Sequence, residues 1–136
     1  MKFKRNKQSA VEEPRPSGRV NYIDGLAVET ELGYYLVRRG VRVPFPSKRV
    51  FDTWGLHAIR SSEAACQHLP VVGIMGIREG SLVVDFMDNK LYMISGGKRR
   101  LVSNPSFLED LQIDPIEAIV VSHEEILLHS EAEVII

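Results

Sequence analysis

From residue 21 onward, apolar and polar side chains alternate in short runs, each closed by glycine or a polar turn. A period of two is the pattern of half-buried strands. Leu26-Ala27-Val28-Glu29-Thr30 predicts a first strand, Tyr34-Tyr35-Leu36-Val37-Arg38 a second and Val41-Arg42-Val43-Pro44-Phe45 a third, with turns at Leu32-Gly33 and Arg39-Gly40. Pro44 and Pro46 cannot donate ladder hydrogen bonds, so the third strand is expected to be an edge or to end there. The period then changes. Val50, Phe51 and Trp54 recur at helical spacing, behind Ser47 as N-cap and ahead of Gly55 as C-cap.

The same succession returns further along the chain. Ser81-Leu82-Val83-Val84-Asp85, Leu91-Tyr92-Met93-Ile94 and Arg99-Arg100-Leu101-Val102 predict three strands, and Asn104-Pro105 opens a helix whose apolar face is Phe107, Leu108 and Leu111. Gly25 aligns with Gly80, Tyr35 with Tyr92, Gly40 with Gly97, Ser47 with Ser103 and Phe51 with Phe107, at a nearly constant offset of about 56 residues. Each copy closes with an apolar, strand-like run entering a short Ser-initiated helix. Ala58-Ile59-Arg60-Ser61-Ser62-Glu63 matches Ile119-Val120-Val121-Ser122-His123-Glu124, and Ser122 with Glu125 predicts a capping box. The expected fold is α+β: two tandem repeats, each a three-strand antiparallel meander followed by short helices. The expected divisions are a basic arm over 1–19, a first repeat over 20–76 and a second over 77–136. The first repeat ends in the apolar join Val71-Val72-Gly73-Ile74-Met75-Gly76, which is expected to pack rather than to hang free.

Composition narrows the class. Of 136 residues, 44% are hydrophobic and 26% charged, as in ordinary globular domains. No apolar run reaches the roughly 20 residues that span a bilayer, so no membrane partner is expected. The start, Met1-Lys2-Phe3-Lys4-Arg5, leads into polar sequence rather than an apolar signal segment. The one cysteine, Cys66, cannot make an internal disulfide and is expected to fill a small apolar space.

Charge is uneven along the chain. Residues 1–100 hold all 17 basic side chains and 10 acidic ones, a net +7, whereas 101–136 hold 8 acidic and none basic, a net −8. Such polarity suits head-to-tail attraction between copies, unless folding mixes the charges in space. Residues 1–19, with Lys2, Lys4, Arg5 and Lys7, offer little to bury and read either as a loose terminus or as an arm that grips a neighbouring subunit or an anionic polymer.

Catalytic patterns are missing from the sequence. His57, His68, His123 and His129 are scattered, Cys66 and His68 form a single pair without a partner pair, and Asp85 and Asp88 read as turn-flanking acids. Ser95-Gly96-Gly97-Lys98-Arg99 lacks the length and the following helix of a phosphate loop and predicts a hairpin turn. No catalytic residue, cofactor or metal is expected, and the chain reads as a non-enzyme. The candidate contact residues are Lys2, Lys4, Arg5, Lys7, Arg38, Arg39, Arg42, Lys98, Arg99 and Arg100, which give each copy a positive edge, together with the apolar end Val134-Ile135-Ile136. A pI near 6.4 and the lack of aromatics interleaved with the arginines argue against nucleic acid.

These residues carry a resemblance. Gly80-Ser81-Leu82-Val83, Lys90-Leu91-Tyr92-Met93-Ile94-Ser95-Gly96-Gly97-Lys98-Arg99-Arg100, Ser103-Asn104-Pro105 and Val120-Val121-Ser122-His123-Glu124-Glu125 resemble a small repeat of bacterial surface proteins and tailed-phage virion proteins. Residues 24–136 are covered. The first copy departs at Val41, where lysine is usual, and by its extra prolines. The resemblance implies a structural protein of a tailed-phage virion, in the tail, tail tip or neck, assembled in the host cytoplasm. Its expected partners are other virion proteins and copies of itself. The alternative is a cell-wall or surface glycan-binding module, with Tyr34, Tyr35, Tyr92 and Trp54 stacking on sugar rings.

Overall fold

The computed structural model of the protein describes residues 22–104, 106–110, 112 and 117–134. Along the chain run β1 (Ala27–Thr30), β2 (Gly33–Arg38), β3 (Val41–Pro44), α1 (Lys48–Asp52), β4 (Ala58–Arg60) and α2 (Glu63–Cys66). The same order then repeats as β5 (Leu82–Asp85), β6 (Leu91–Ser95), β7 (Lys98–Leu101), α3 (Ser106–Asp110), β8 (Ile119–Val121) and α4 (His123–Ile126). The class is α+β with a repeated sheet unit.

Each sheet has four strands where three were expected. The orders are β3-β2-β1-β4 and β7-β6-β5-β8, and β4 and β8 lie parallel to β1 and β5. Parallel neighbours need a crossover, and the segments holding α1 and α3 provide it. The short strand-like runs before Ser62 and Ser122 are these fourth strands, and each leads into its Ser-capped helix. Pro44 ends β3 at the edge of its sheet, consistent with its missing donor.

Two-residue turns close β2 onto β3 and β6 onto β7. Both central residues have positive φ, Arg39 (49°) with Gly40 (78°) and Gly96 (65°) with Gly97 (73°), the requirement of the hairpin turn that matches strand twist. Arg39 takes a conformation disfavoured for a side-chain-bearing residue, and its N–H donates to Asp24 Oδ1 at 2.6 Å.

By contacts the chain divides into two compact units, 22–45 with 56–74 and 46–55 with 75–134 among the described residues. The division is not sequential. Segment 46–55, carrying α1, belongs with the second unit, although the chain pattern places it inside the first repeat.

In the first unit Val28, Val37, Cys66 and Leu69 are buried together, with Tyr22 and Leu26 against them. Cys66 fills apolar space, as expected. In the second, Leu82, Val102 and Leu108 cluster with Leu91, Met93 and Ala118, so α3 covers one face of its sheet through Leu108. On the opposite face Val83, Ile94, Val121 and Ile126 are buried.

The segment after each closing helix is zipped onto an edge strand. Arg42 N–H donates to Pro70 O at 2.9 Å and Val72 N–H to Arg42 O at 3.1 Å; Arg99 N–H and Ala132 N–H do the same with Ser130 O and Arg99 O, at 2.9 and 3.1 Å. The apolar join was expected to bury its side chains, yet Val71, Val72 and Ile74 are exposed. Backbone pairing to β3, not side-chain burial, fixes its first part.

The register between copies also differs from the sequence alignment. Gly55 and Gln112 both have positive φ beyond their helices, and aligning them sets Phe51 with Leu108, both buried. Ser47 therefore corresponds to Asn104, not Ser103. Asn104 Oδ1 accepts from Ser106 N–H at 3.1 Å, as Ser47 Oγ accepts from Val50 N–H. The N-caps Ser62 and Ser122 correspond, which aligns Ile59 with Ile119 and Arg60 with Val120.

Candidate functional site

Arg42 was expected at a solvent-facing positive edge, but it turns inward. It sits over the Tyr35 ring at 4.8 Å, its Nε donates to Leu69 O at 2.9 Å and one terminal nitrogen donates to Glu63 Oε1 at 2.7 Å. Thr30 Oγ1 donates to the other oxygen of Glu63 at 2.6 Å. Strand alternation puts Tyr35 and Arg42 on the buried face, and Ser62, capping α2 through Ala65 N–H, brings Glu63 to them. Burial alone would raise the Glu63 carboxyl, but the bonds from Thr30 and Arg42 outweigh it and hold the group below the usual range. Tyr35 is pushed upward, first by burial and then by Glu63.

The second copy keeps the arginine and exchanges its partners. Arg99 lies over the Tyr92 ring at 6.0 Å and donates to the carbonyl of His129. Here the acid is on the strand and the base on the helix. Asp85, fully buried, accepts from His123 Nδ1 at 2.8 Å and from Met87 N–H at 2.9 Å. Burial works against its ionisation, and the bonds from His123 and Met87 prevail, lowering it. Asp85 is thus more than a turn-flanking acid, and Arg42 and Arg99 are supports of the fold.

His129 is buried with both ring nitrogens engaged. Ile77 N–H donates to Nε2 at 2.9 Å, so Nδ1 carries the proton and donates to Gly97 O at 2.8 Å. Gly76 leaves room for this ring, since a Cβ there would lie 2.8 Å from it. Glu125, predicted as half of a capping box, completes that box with Ser122 and also receives the Ser47 hydroxyl and an ion pair from Arg49 at 3.7 Å. Arg49 further donates to Val120 O at 3.3 Å, Arg78 N–H to Thr53 Oγ1 at 3.2 Å, and the Trp54 indole N–H to Gly76 O at 2.9 Å. These bonds account for α1 belonging to the second unit.

The glycine hairpin is already occupied by the chain itself. Gly96 N–H and Gly97 N–H donate to the two oxygens of Glu79 at 2.5 and 3.1 Å, and those backbone bonds depress its carboxyl. Asp24 serves the first hairpin in the same way. Arg38 and Arg39 are exposed and line an open cleft with Asp24 and Gly25; Lys98 is exposed and Arg100 half-buried. Val134 is exposed, while Lys2, Lys4, Arg5, Lys7, Ile135 and Ile136 lie outside the described residues. Of the aromatics named for sugar stacking, Tyr35 and Tyr92 are buried and Tyr34 and Trp54 half-buried. Among the described residues no group of three or more His, Cys, Asp or Glu is placed to hold a metal ion, and no helix is long and apolar enough to cross a membrane.

Large apolar side chains also face outward. Phe86, Met87, Val120, Leu127 and Val134 of the second unit are exposed, Phe86 at 77%. Nothing in the sequence pattern marked Phe86 and Met87, because a turn that lengthens by two residues between the copies reads as an ordinary loop. Compared with known proteins, the sequence matches no family model and no curated protein.

Proposed function

We propose that the chain is a non-enzymatic structural component of a tailed-phage virion, in the tail, tail tip or neck, assembling through protein–protein contacts with other virion proteins and with copies of itself. The observation that carries the reading is the division of labour among side chains. Arg42, Glu63, Asp85, Arg99, Glu125 and His129 are spent on tying strands, helices and return segments together. Large apolar side chains, Phe86, Leu32, Ile23 and Met87 foremost, are left facing outward. A surface of that kind is a contact surface more readily than a reacting one. The resemblance of the repeat to units of tailed-phage virion proteins supplies the particle.

The test is removal of the gene from a phage that carries it, followed by imaging and infectivity of the particles. Particles that lose a tail, tail-tip or neck feature support the proposal. Intact, infectious particles, together with a purified chain that stays monomeric, overturn it. Saturable capture of the purified chain on wall polymer would favour the glycan-binding alternative.

A further inference from the structure

The duplication contains its own control. In the first unit Glu29 on β1 lies opposite Arg60 on β4, paired at 3.4 Å, and Glu31 follows two residues beyond Glu29. The matching positions in the second unit are Val84 opposite Val120, and Phe86. Val120 is 50% exposed and Phe86 77%, with Val84 half-buried. The fold therefore tolerates charge at these three positions, and one copy carries apolar groups there instead. Covering valine and phenylalanine side chains is favourable, a gain forgone while the patch faces water.

We propose that this patch, Val84, Phe86 and Val120 on the face that α3 covers only in part, docks the basic N-terminal arm of a second copy of the chain. The inference rests on the assembly reading above and names its contact. Charge selects the occupant. Asp88 in the adjoining turn, Glu117 before β8, and Glu109 and Asp110 of α3, the helix on this face, are exposed; against these four acids stand Lys90 just after the turn and Arg49, which donates to the Val120 carbonyl. The arm, Met1-Lys2-Phe3-Lys4-Arg5-Asn6-Lys7, interleaves four cations with two large apolar side chains. Phe3 and Met1 match the apolar patch and the cations match its acidic rim. Each copy offers one arm and one patch on different parts of its sequence, so two copies that exchange arms close a two-fold dimer, while arms passed in one direction build a ring or an open string.

The experiment uses the full chain and two variants. One carries Val84→Glu, Phe86→Glu and Val120→Arg, which installs the first unit's own residues; the other carries Lys2→Glu, Lys4→Glu, Arg5→Glu and Lys7→Glu. Sedimentation equilibrium across concentration and salt is expected to show association of the unsubstituted chain that weakens as salt rises. Each variant alone should associate at least about tenfold less tightly. Mixed together, the two should form a heterodimer, because one keeps the arm and the other the patch. Phe86→Glu alone, at a side chain the fold hardly covers, serves if the triple variant does not fold. Association unaffected by either variant, or a mixture that does not pair, overturns this contact while leaving assembly through another surface standing. A chain monomeric at every concentration overturns the contact, and intact particles without the gene then overturn the assembly reading as well.

Discussion

The Ser47 hydroxyl donates to the Glu125 carboxylate across 78 residues of sequence, joining the cap of one short helix to the capping box of another. Neither helix has the length to be stable alone, so this bond and the Arg49 pair beside it hold α1 in the second unit. Ser47→Ala and Glu125→Ala should each destabilise the chain. Their double-mutant cycle in urea should give a coupling of about 1.5–3 kcal/mol, as for a hydrogen bond to a charged group. A coupling near zero would show that α1 is held by its apolar residues alone.

Arg42 makes two bonds in two directions from one planar group while lying on a ring. Lysine has a single nitrogen and no plane, so it keeps the charge and loses the geometry. Arg42→Ala, which leaves Glu63 without its cation, should cost about 3–5 kcal/mol. Arg42→Lys should still cost about 1–3 kcal/mol. Urea midpoints at constant slope measure both, and a lysine variant as stable as the parent would reduce the role of Arg42 to charge.

Much of this architecture is legible in the chain. Alternation located β1–β3 and β5–β7, glycine and arginine at the turns located both hairpins, and Ser-x-x-Glu located the capping box. The copies were misaligned at their helices because likeness of residue type favoured Ser47 with Ser103 and Phe51 with Phe107. The left-handed backbone shared by Gly55 and Gln112 instead sets Phe51 with Leu108, a correspondence of conformation that letters do not carry. Arg42 and Arg99 read as surface cations for a similar reason. A strand period shows which face a residue shares, but not that a closing helix and a return segment will cover that face and receive a guanidinium. Phe86 was hidden by its loop, and only the comparison with Glu31 in the other copy shows that apolar character there is not required by the fold.

Glu63, Asp85 and Glu125 each titrate below the ordinary carboxyl range, burial opposing and their hydrogen bonds overcoming it. Carboxyls in the unfolded chain take up protons near pH 4, before their folded counterparts do. The unfolded state then binds more protons, so this stabilisation is complete above about pH 5 and is lost as pH falls through 4 and below, until the folded groups also protonate. Urea midpoints should be level between pH 7 and 5 and decline steeply toward pH 3. Glu63→Gln should start lower at pH 7, with Arg42 unpaired, and decline less. An equally steep decline in that variant would assign the acid sensitivity to other groups.

Gly76 faces the His129 ring, whose two nitrogens tie Ile77 to the β6–β7 hairpin at Gly97. A Cβ at position 76 would meet two ring atoms at 2.8 and 2.9 Å, closer than carbon approaches carbon or nitrogen without displacement. The ring is buried and held at both ends, so it has no free rotation by which to yield. Gly76→Ala should therefore destabilise by about 1–3 kcal/mol, the usual cost of overpacking, even though alanine would otherwise stiffen the chain favourably. The same strain should loosen the Ile77 N–H bond, raising the hydrogen-exchange rate of that amide more than those of Ile94 or Val121. In the unsubstituted chain the nitrogen spectrum of His129 should show the proton on Nδ1. A proton on Nε2, or an alanine variant as stable as the parent, would mean that the ring does not clamp residues 76 and 77.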